Sequence, residues 1–335
     1  MPPSVPSRRK AGTGTVDELA AGVRGHDRRA LAKAITLVES TRRDHQADAQ
    51  RLLECLLPAT GAAVRLGVTG VPGVGKSTFI ERFGMHLLGR GKRVAVLAVD
   101  PSSARSGGSI LGDKTRMAEL AAEEKAFIRP SPSGGSLGGV ARRTREAMLV
   151  CEAAGYDVVI VETVGVGQSE TAVASMVDFF LVLMLAGAGD ELQGIKKGIL
   201  ELADALAINK ADGDNVARAT RAAAEYRAAL GLFRHTSAAW DPPVVTVSAL
   251  EGRGMDTLWS IVLDHRERMR ASGALEANRR RQQTAWFWNV LEEELRGRFL
   301  ARDDVRRMLP EVERQVEAGE LPPTEGARRL LALGS

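Results

Sequence analysis

The sequence predicts an α/β fold in which a mostly parallel sheet is covered by helices on both faces. Short apolar runs alternate with helical patterns from Val64 to about Leu263. Strands that are apolar along their whole length are typical of a parallel sheet buried on both sides. A glycine-rich stretch after the first run also marks a tight turn from strand to helix. The runs are VRLGVTG, RVAVLAVD, DVVIVET, FFLVLML, ALAINK and VVTVSAL.

The length and composition exclude several classes of protein. With 335 residues, the chain exceeds the usual length of one domain, so a core domain with attached segments is expected. A hydrophobic fraction of 44% supports a sizeable core. The net charge of +4, from 46 basic and 42 acidic side chains, is too small to indicate nucleic-acid binding.

Cysteine usage and the N-terminus predict a cytoplasmic protein. The two cysteines, Cys55 and Cys151, cannot form a disulfide framework and are typical of a reducing compartment. No stretch contains the roughly 18 apolar residues that a membrane span requires. The N-terminal residues, MPPSVPSRRKAGTG, lack the apolar centre of a signal peptide. We therefore expect no membrane association.

The pattern along the chain predicts four segments. Residues 1–14 are expected to be a loose tail. Residues 15–61 have helical spacing of apolar side chains, and residues 62–264 contain the alternating strands and helices. Residues 265–335 are again helical in pattern, and we expect them to be a dimerisation segment.

An apolar stripe runs along this last segment. Phe287, Leu291, Leu295 and Phe299 repeat every four residues. This is more apolar surface than a short solvated tail usually exposes. It predicts either a homodimer contact or a helix that folds back on the sheet domain.

The glycine-rich stretch matches the phosphate-binding P-loop. GVPGVGKS follows an apolar strand and precedes a helix, which is the context that this motif requires. Backbone amides of such a loop and the helix N-terminus attract phosphate. Lys76 is predicted to contact the β- and γ-phosphates, and the Ser77 hydroxyl to ligate Mg²⁺. The nucleotide-binding residues expected here are Gly73, Val74, Gly75, Lys76, Ser77 and Thr78.

Carboxylates at the ends of two further strands are candidates for the metal and the catalytic step. Asp100 ends VAVLAVD and Glu162 ends VVIVET, so both should lie near the P-loop. We expect them to act with Lys76 in catalysis, and an amide at Gly165 to meet the γ-phosphate. Helix capping by either acid is the alternative. Asp113 is a weaker metal candidate, because an N-cap role explains it nearly as well.

The sequence AINKAD predicts the choice of base. A carboxylate at Asp212 can accept hydrogen bonds from N1–H and the 2-amino group of guanine, which adenine does not offer. Lys210 can cover the ring face, and Asn209 can join the surrounding loops. The later turn Ser248, Ala249 and Leu250 can supply an amide to the guanine O6. Together with the P-loop, these residues predict a guanine-nucleotide site.

A charged loop follows the apolar run FFLVLML. Residues 186–198, AGAGDELQGIKKG, carry acids and lysines where a short turn would suffice. The chemistry alone fits two interpretations equally. The loop either changes its contacts when the γ-phosphate leaves, or simply begins a helix with acids near its N-terminus.

In this order, GVPGVGKST, AVDPSS, VETVGVGQSE, GDELQGIKKG and NKAD resemble the MeaB/ArgK family of P-loop GTPases. The resemblance implies a G domain that hydrolyses GTP to GDP and phosphate with Mg²⁺. It also implies a homodimer joined by the C-terminal helices, and a role for Asp100, Asp113 and Glu162 around Mg²⁺ and the switch regions. The loop at residues 186–198 would be a third switch, with Asp190, Gln193 and Lys196 coupling the nucleotide to a partner.

The partner implied by the resemblance is methylmalonyl-CoA mutase, an adenosylcobalamin-dependent enzyme. Members of the family act as chaperones that gate cofactor delivery and protect or reactivate the mutase. Two alternatives share much of the pattern. One is a metal-inserting GTPase, which the scattered histidines argue against. The other is an ArgK-like transport-associated kinase or ATPase, which requires ATP and is disfavoured by Asp212.

Overall fold

Seven parallel strands form one sheet in the part of the chain that the structure describes. This part, in a computed structural model, comprises residues 13–99, 117–130, 137–163, 169–187, 197–231 and 240–333. The strand order is β3-β2-β4-β1-β5-β6-β7, and every neighbouring pair is parallel. The predicted α/β fold is therefore confirmed. The strands are β1 (Val64–Gly70), β2 (Val94–Val99), β3 (Ala126–Arg129), β4 (Val158–Thr163), β5 (Phe179–Leu185), β6 (Ala205–Asn209) and β7 (Val244–Thr246).

Strand β3 is the one strand of this sheet that the sequence pattern did not indicate. It is four residues long, pairs only with β2 and lies at the edge of the sheet. Its apolar run, Ala126–Ile128, is too short to stand out from a loop. The other six strands coincide with the apolar runs. Five of them are almost wholly buried, whereas in β7 only Val244 is buried.

Helices cover both faces of the sheet and produce two separate cores. In β4, Val158 and Ile160 pack into one core while Val159 and Val161 pack into the other, as the period of two requires. The helices that follow β1 are α4 (Lys76–Gly89), α5 (Ala118–Ala122), α6 (Leu137–Ala153), α7 (Ser169–Ala174), α8 (Lys197–Leu202), α9 (Val216–Leu230) and α10 (Met255–Ala271). Helices α4, α5 and α10 line one face, and α6, α7 and α9 line the other.

The N-terminal segment is three helices, where the sequence pattern suggested one helical stretch. They are α1 (Thr13–Arg24), α2 (Arg28–Val38) and α3 (Arg43–Leu56), so helix begins two residues inside the expected loose tail. His26 adopts a left-handed conformation with φ of 63°, which ends α1. Asp27 then caps α2 by accepting hydrogen bonds from the amides of Arg29 and Ala30 at 2.7 and 2.8 Å.

The chain forms two compact units, Met1–Arg279 and Arg280–Ser335. The division falls within α11 (Ala274–Leu300), which α12 (Asp303–Glu317) and α13 (Pro323–Ala332) follow. The second unit has a small core of Val312, Leu321 and Leu330. The predicted apolar stripe lies on α11, where the side chains of Phe287 and Leu295 are 59% and 58% exposed. Among the described residues, no helix is both long and apolar enough to cross a membrane.

A buried network of ion pairs joins distant parts of the first unit at the amino-terminal edge of the sheet. Arg65 on β1 pairs with Glu152 on α6 at 2.6 Å, and Glu152 also accepts a hydrogen bond from the Gly61 amide at 2.8 Å. Asp178, just before β5, accepts from the Arg65 amide and pairs with Arg279 at 2.7 Å. The carboxylates are almost fully buried, with exposures of 1% and 5%. The network therefore fixes where α6 and the start of α11 lie.

We expect Glu152→Ala to destabilise the protein by about 3 kcal/mol, because it leaves the buried Arg65 guanidinium without its carboxylate. Urea denaturation followed by circular dichroism measures this free energy of unfolding. Asp264→Ala is a matched control, since it removes the exposed pair with Arg268 and should cost only about 0.5 kcal/mol. Equal losses in the two variants would contradict the structural role of the network.

Candidate nucleotide-binding site

The predicted nucleotide-binding residues gather at the carboxyl-terminal edge of the sheet. The P-loop connects β1 to α4, Glu162 lies near the end of β4, and Asn209 ends β6. Because the strands are parallel, these ends meet at one edge, which is where open α/β sheets bind their ligands. The pairing of Val68 with Glu162 places that acid beside the beginning of the P-loop.

The backbone of the P-loop requires glycine at two positions. Gly70 has φ of 155°, and a Cβ atom there would lie 2.5 Å from the carbonyl oxygen of Leu183 on β5. Gly75 has φ of 90° immediately before α4, and a Cβ atom there would lie 3.2 Å from Nδ2 of Asn209. Side chains at these positions would push the loop away from the strand ends. The glycines therefore allow the loop to curl directly over the sheet.

The ammonium group of Lys76 lies inside the loop. Its Nζ donates to the carbonyl oxygens of Gly70 and Val71 at 2.7 and 3.3 Å. Burial lowers the pKa of Lys76, and the negative charges of Glu162 and Glu170 oppose this shift. The side chain is thus held inside the P-loop, and the carboxylates of Glu162 and Glu170 lie near enough to favour its charged form.

Ser77 and Glu162 face each other at the start of α4. The Ser77 hydroxyl donates to Oε1 of Glu162 at 3.4 Å, and Glu162 is only 8% exposed. Hydroxyl and carboxylate oxygens are the ligands that Mg²⁺ prefers, so this pair fits the metal expected there. Next to it, the buried hydroxyls of Thr69 and Thr163 share a hydrogen bond of 2.7 Å. This bond links the ends of β1 and β4.

Asn209 connects three parts of the site. Its Nδ2 donates to the carbonyl oxygen of Val74 at 2.8 Å, and its Oδ1 accepts from the Ala249 amide at 3.2 Å. Lys210, with φ of 58°, donates from Nζ to the Gly73 carbonyl oxygen at 2.9 Å. Asn209 thus contacts both the P-loop and the turn after β7. The P-loop and the NKAD segment are therefore mechanically connected.

Asp212 and Ser248 form a pair at the expected base site. The Ser248 hydroxyl donates to Oδ2 of Asp212 at 2.6 Å and accepts from the Glu251 amide at 3.1 Å. The strand pairing continues beyond β6 and β7, because the Val247 amide donates to Ile208 and the Ala211 amide donates to Val247. This backbone pairing brings the two segments together. Ser248 is buried, whereas the Leu250 side chain is 71% exposed.

Several predicted residues lie outside the described part of the chain. They are Asp100 and Asp113 of the metal set, Gly165 after β4, and Asp190, Gln193 and Lys196 of the charged loop. Their roles stay predictions. Thr78 lies on the first turn of α4 and is exposed.

The structure adds residues that motif reasoning did not single out. Thr69 and Thr163 meet only because β1 and β4 are neighbours in the sheet. Glu170 belongs to the VGVGQSE string, but nothing in the string shows that its carboxylate lies close enough to act on Lys76. Arg82, on α4, contacts the turn that follows Ser248. For Arg82 the sequence carries no signal at all.

A family model, curated relatives and a solved structure all match this chain over most of its length. The family model for the methylmalonyl-CoA mutase-associated GTPase MeaB matches residues 31–304. The GTPase ArgK of Escherichia coli is 52% identical over 94% of this chain and 96% of its own length. A mitochondrial methylmalonic aciduria type A homolog of Mus musculus is 48% identical over 94% of this chain and 79% of its own.

A solved structure agrees over nearly the whole chain. The crystal structure of a protein described as an LAO/AO transport system kinase superposes with a TM-score of 0.77 at 44% identity. The superposition covers 97% of this chain and 99% of the other. Family, relatives and fold therefore agree with the P-loop geometry, so the chain is a GTP-hydrolysing P-loop protein and belongs to the MeaB family of GTPases.

Proposed function

We propose that the protein hydrolyses GTP to control an adenosylcobalamin-dependent methylmalonyl-CoA mutase, gating delivery of its cofactor and protecting or reactivating the enzyme. The proposal is supported by the hydrogen bonds that join the NKAD segment to the P-loop in a chain of the MeaB family. Asn209 contacts both the P-loop and the turn at Ala249. A nucleotide bound at the P-loop can therefore change the positions of several strand ends together. This arrangement suits a regulatory GTPase.

We assign a role to each of the site residues. Lys76 neutralises charge on the β- and γ-phosphates, and amides of the P-loop bind the phosphate oxygens. Ser77 and Glu162 hold Mg²⁺, with Asp100 and Asp113 as further members of the metal set. When bound, the ion neutralises charge on the phosphates. Asp212 binds N1–H and the 2-amino group of guanine, with Ser248 holding its carboxylate in place.

The charged loop at residues 186–198 is proposed to couple the nucleotide to the mutase. The loop follows β5, and β5 pairs with β1, which leads into the P-loop. The loop therefore begins one strand away from the P-loop. Only contacts that differ between the GTP and GDP states can change a partner. We therefore expect Asp190→Ala, Gln193→Ala and Lys196→Ala to bind and slowly hydrolyse GTP as the wild type does. They should lose the acceleration that the mutase causes.

The GTPase rate with and without mutase measures this coupling. Glu225→Ala is the matched control, because Glu225 is an exposed acid on α9, outside the loop. Its acceleration should equal that of the wild type. If all three loop variants keep full acceleration, the loop only begins a helix. If they lose GTP affinity, the loop belongs to the nucleotide pocket.

Capture from cell extract tests the identity of the partner. Tagged protein is incubated with extract in the presence of GDP or a non-hydrolysable GTP analogue, and the bound proteins are identified by mass spectrometry. We expect methylmalonyl-CoA mutase in amounts that differ between the two nucleotides. Recovery of a different cobalamin-dependent mutase would change the partner, and recovery of no mutase would contradict the proposal.

We also propose a homodimer formed through the helices after residue 264. The exposed side chains of Phe287, Trp288 and Leu295 on α11 support this proposal. Replacing Phe287 and Leu295 together by serine should give a monomer in light scattering, because it removes two exposed apolar side chains of the stripe. Glu292→Ala, an exposed polar position on the same helix, should leave the mass unchanged. A double variant that remains dimeric would place the interface elsewhere.

A kinase or ATPase function is the second candidate, favoured by the description of the solved relative as a transport system kinase. The two functions differ in the nucleotide that they require. We expect GTP to bind at least about a hundredfold more tightly than ATP, since adenine cannot satisfy the carboxylate of Asp212. Titration of both triphosphates against the purified protein separates the candidates. Equal affinities would favour the kinase.

A further inference from the structure

Arg82 lies on α4, two turns after the P-loop, and reaches across to the turn that follows Ser248. Its Nε donates to the carbonyl oxygen of Ala249 at 3.3 Å, and its Nη2 donates to that of Leu250 at 3.4 Å. The aliphatic part of the side chain lies against Gly252, where an added Cβ atom would be 3.5 Å from Cδ of Arg82. A single side chain thus holds two consecutive carbonyl groups of the predicted base-binding turn.

These contacts determine where the amides of the turn point. In a trans peptide the N–H points opposite to the carbonyl group. Fixing the Leu250 carbonyl toward Arg82 therefore turns the Glu251 amide away, and this amide does donate to the Ser248 hydroxyl at 3.1 Å. By the same geometry, fixing the Ala249 carbonyl turns the Leu250 amide away from α4. The Ala249 amide is already used by Asn209.

We propose that Arg82 is a positioning residue for the purine base, which orients the Ala249–Leu250 peptide so that the Leu250 amide donates to O6 of guanine. The inference rests on the proposed base site. The guanidinium connects the helix that begins at the P-loop with the turn that binds the base. Loss of Arg82 should allow this peptide to rotate, which weakens the contact at position 6 of the purine without removing any phosphate contact.

Three diphosphates distinguish this role from a general loss of stability. GDP offers O6, N1–H and the 2-amino group. The analogue 6-thio-GDP replaces only O6 by sulfur, which is a weak acceptor. IDP keeps O6 and lacks the 2-amino group. For Arg82→Ala, we expect affinity for GDP and for IDP to fall about tenfold, and affinity for 6-thio-GDP to fall less than about threefold.

Two further variants and a rate measurement complete the test. Arg82→Lys keeps one donor and should recover part of the GDP affinity. Arg90→Ala is the control. Arg90 lies directly after α4 and pairs with Asp256 instead of the turn, so this variant should bind all three diphosphates as the wild type does. At saturating GTP, kcat of Arg82→Ala should stay within about twofold of the wild type, because the phosphate contacts are unchanged.

The possible results distinguish an error about Arg82 from an error about the base site. Equal weakening of GDP and 6-thio-GDP, or no weakening of either, would overturn the role of Arg82 while leaving the base site intact. If the wild type binds GDP no better than 6-thio-GDP and IDP, the base site itself is wrong, and the role of Arg82 falls with it. Selective loss for the ligands that carry O6 supports the proposal.

Discussion

Replacing Lys76 by alanine is expected to lower the GTP hydrolysis rate on the order of a thousandfold. The ammonium group is held inside the P-loop by the carbonyl oxygens of Gly70 and Val71. Negative charge that develops on the transferred phosphoryl group and the leaving β-phosphate would lose the cation that the P-loop supplies. Single-turnover hydrolysis with excess protein measures the chemical step.

The variant must remain folded for this result to count. Lys76 is only partly buried and its hydrogen-bond acceptors belong to a loop, so the far-UV circular dichroism spectrum should be unchanged. Lys33→Ala, which removes an exposed lysine on α2, is the matched control and should hydrolyse GTP at the wild-type rate. Hydrolysis by Lys76→Ala within tenfold of the wild type would show that another group stabilises the transferring phosphate.

Replacing Asp212 by asparagine should exchange the preferred base. GTP affinity is expected to fall about a hundredfold or more, because the carboxylate that accepts two guanine hydrogens becomes an amide. Xanthine presents a carbonyl group where guanine has its 2-amino group, and the new amide can donate to it. Affinity for xanthosine triphosphate should therefore rise. Competition of both triphosphates against a fluorescent GDP analogue measures the exchange.

The contact between Ser248 and Asp212 sharpens this expectation. The Ser248 hydroxyl already donates to Oδ2, and it can donate equally to the carbonyl oxygen of asparagine, so the new NH₂ group is left for the base. Asp214→Asn is the matched control, since Asp214 is an exposed acid two residues further along. It should keep the wild-type preference. Unchanged GTP affinity in Asp212→Asn would remove Asp212 from the base site.

The parts of the fold that could be predicted from sequence are those set by local pattern. Six strands were evident because their sequences are mostly apolar, and five of the six are buried along almost their whole length. The short edge strand at Ala126–Arg129 was not, since four residues carry too little pattern. The break between α1 and α2 depends on a left-handed histidine, His26, and sequence seldom indicates such a residue.

Some residues of the candidate site could be predicted from sequence and others could not. The P-loop, Asn209 and Asp212 could be identified because their spacing and their places at strand ends are part of the motif. Arg82 could not, because its partners are 167 and 168 residues away and are backbone carbonyl groups. A hydrogen bond to a backbone carbonyl group can be made with any residue type, so the partner's identity does not indicate the contact. The contact of Arg82 is evident only from the structure, in which α4 lies next to the turn that follows β7.

The rate of GTP hydrolysis by the purified protein, measured with and without methylmalonyl-CoA mutase, tests whether this GTPase controls the mutase. We expect slow hydrolysis by the protein alone and a clear acceleration when mutase is added at saturating concentration. Lys76→Ala in the same assay shows that the measured hydrolysis comes from this site. Fast hydrolysis by the isolated protein with no response to the mutase would contradict the account.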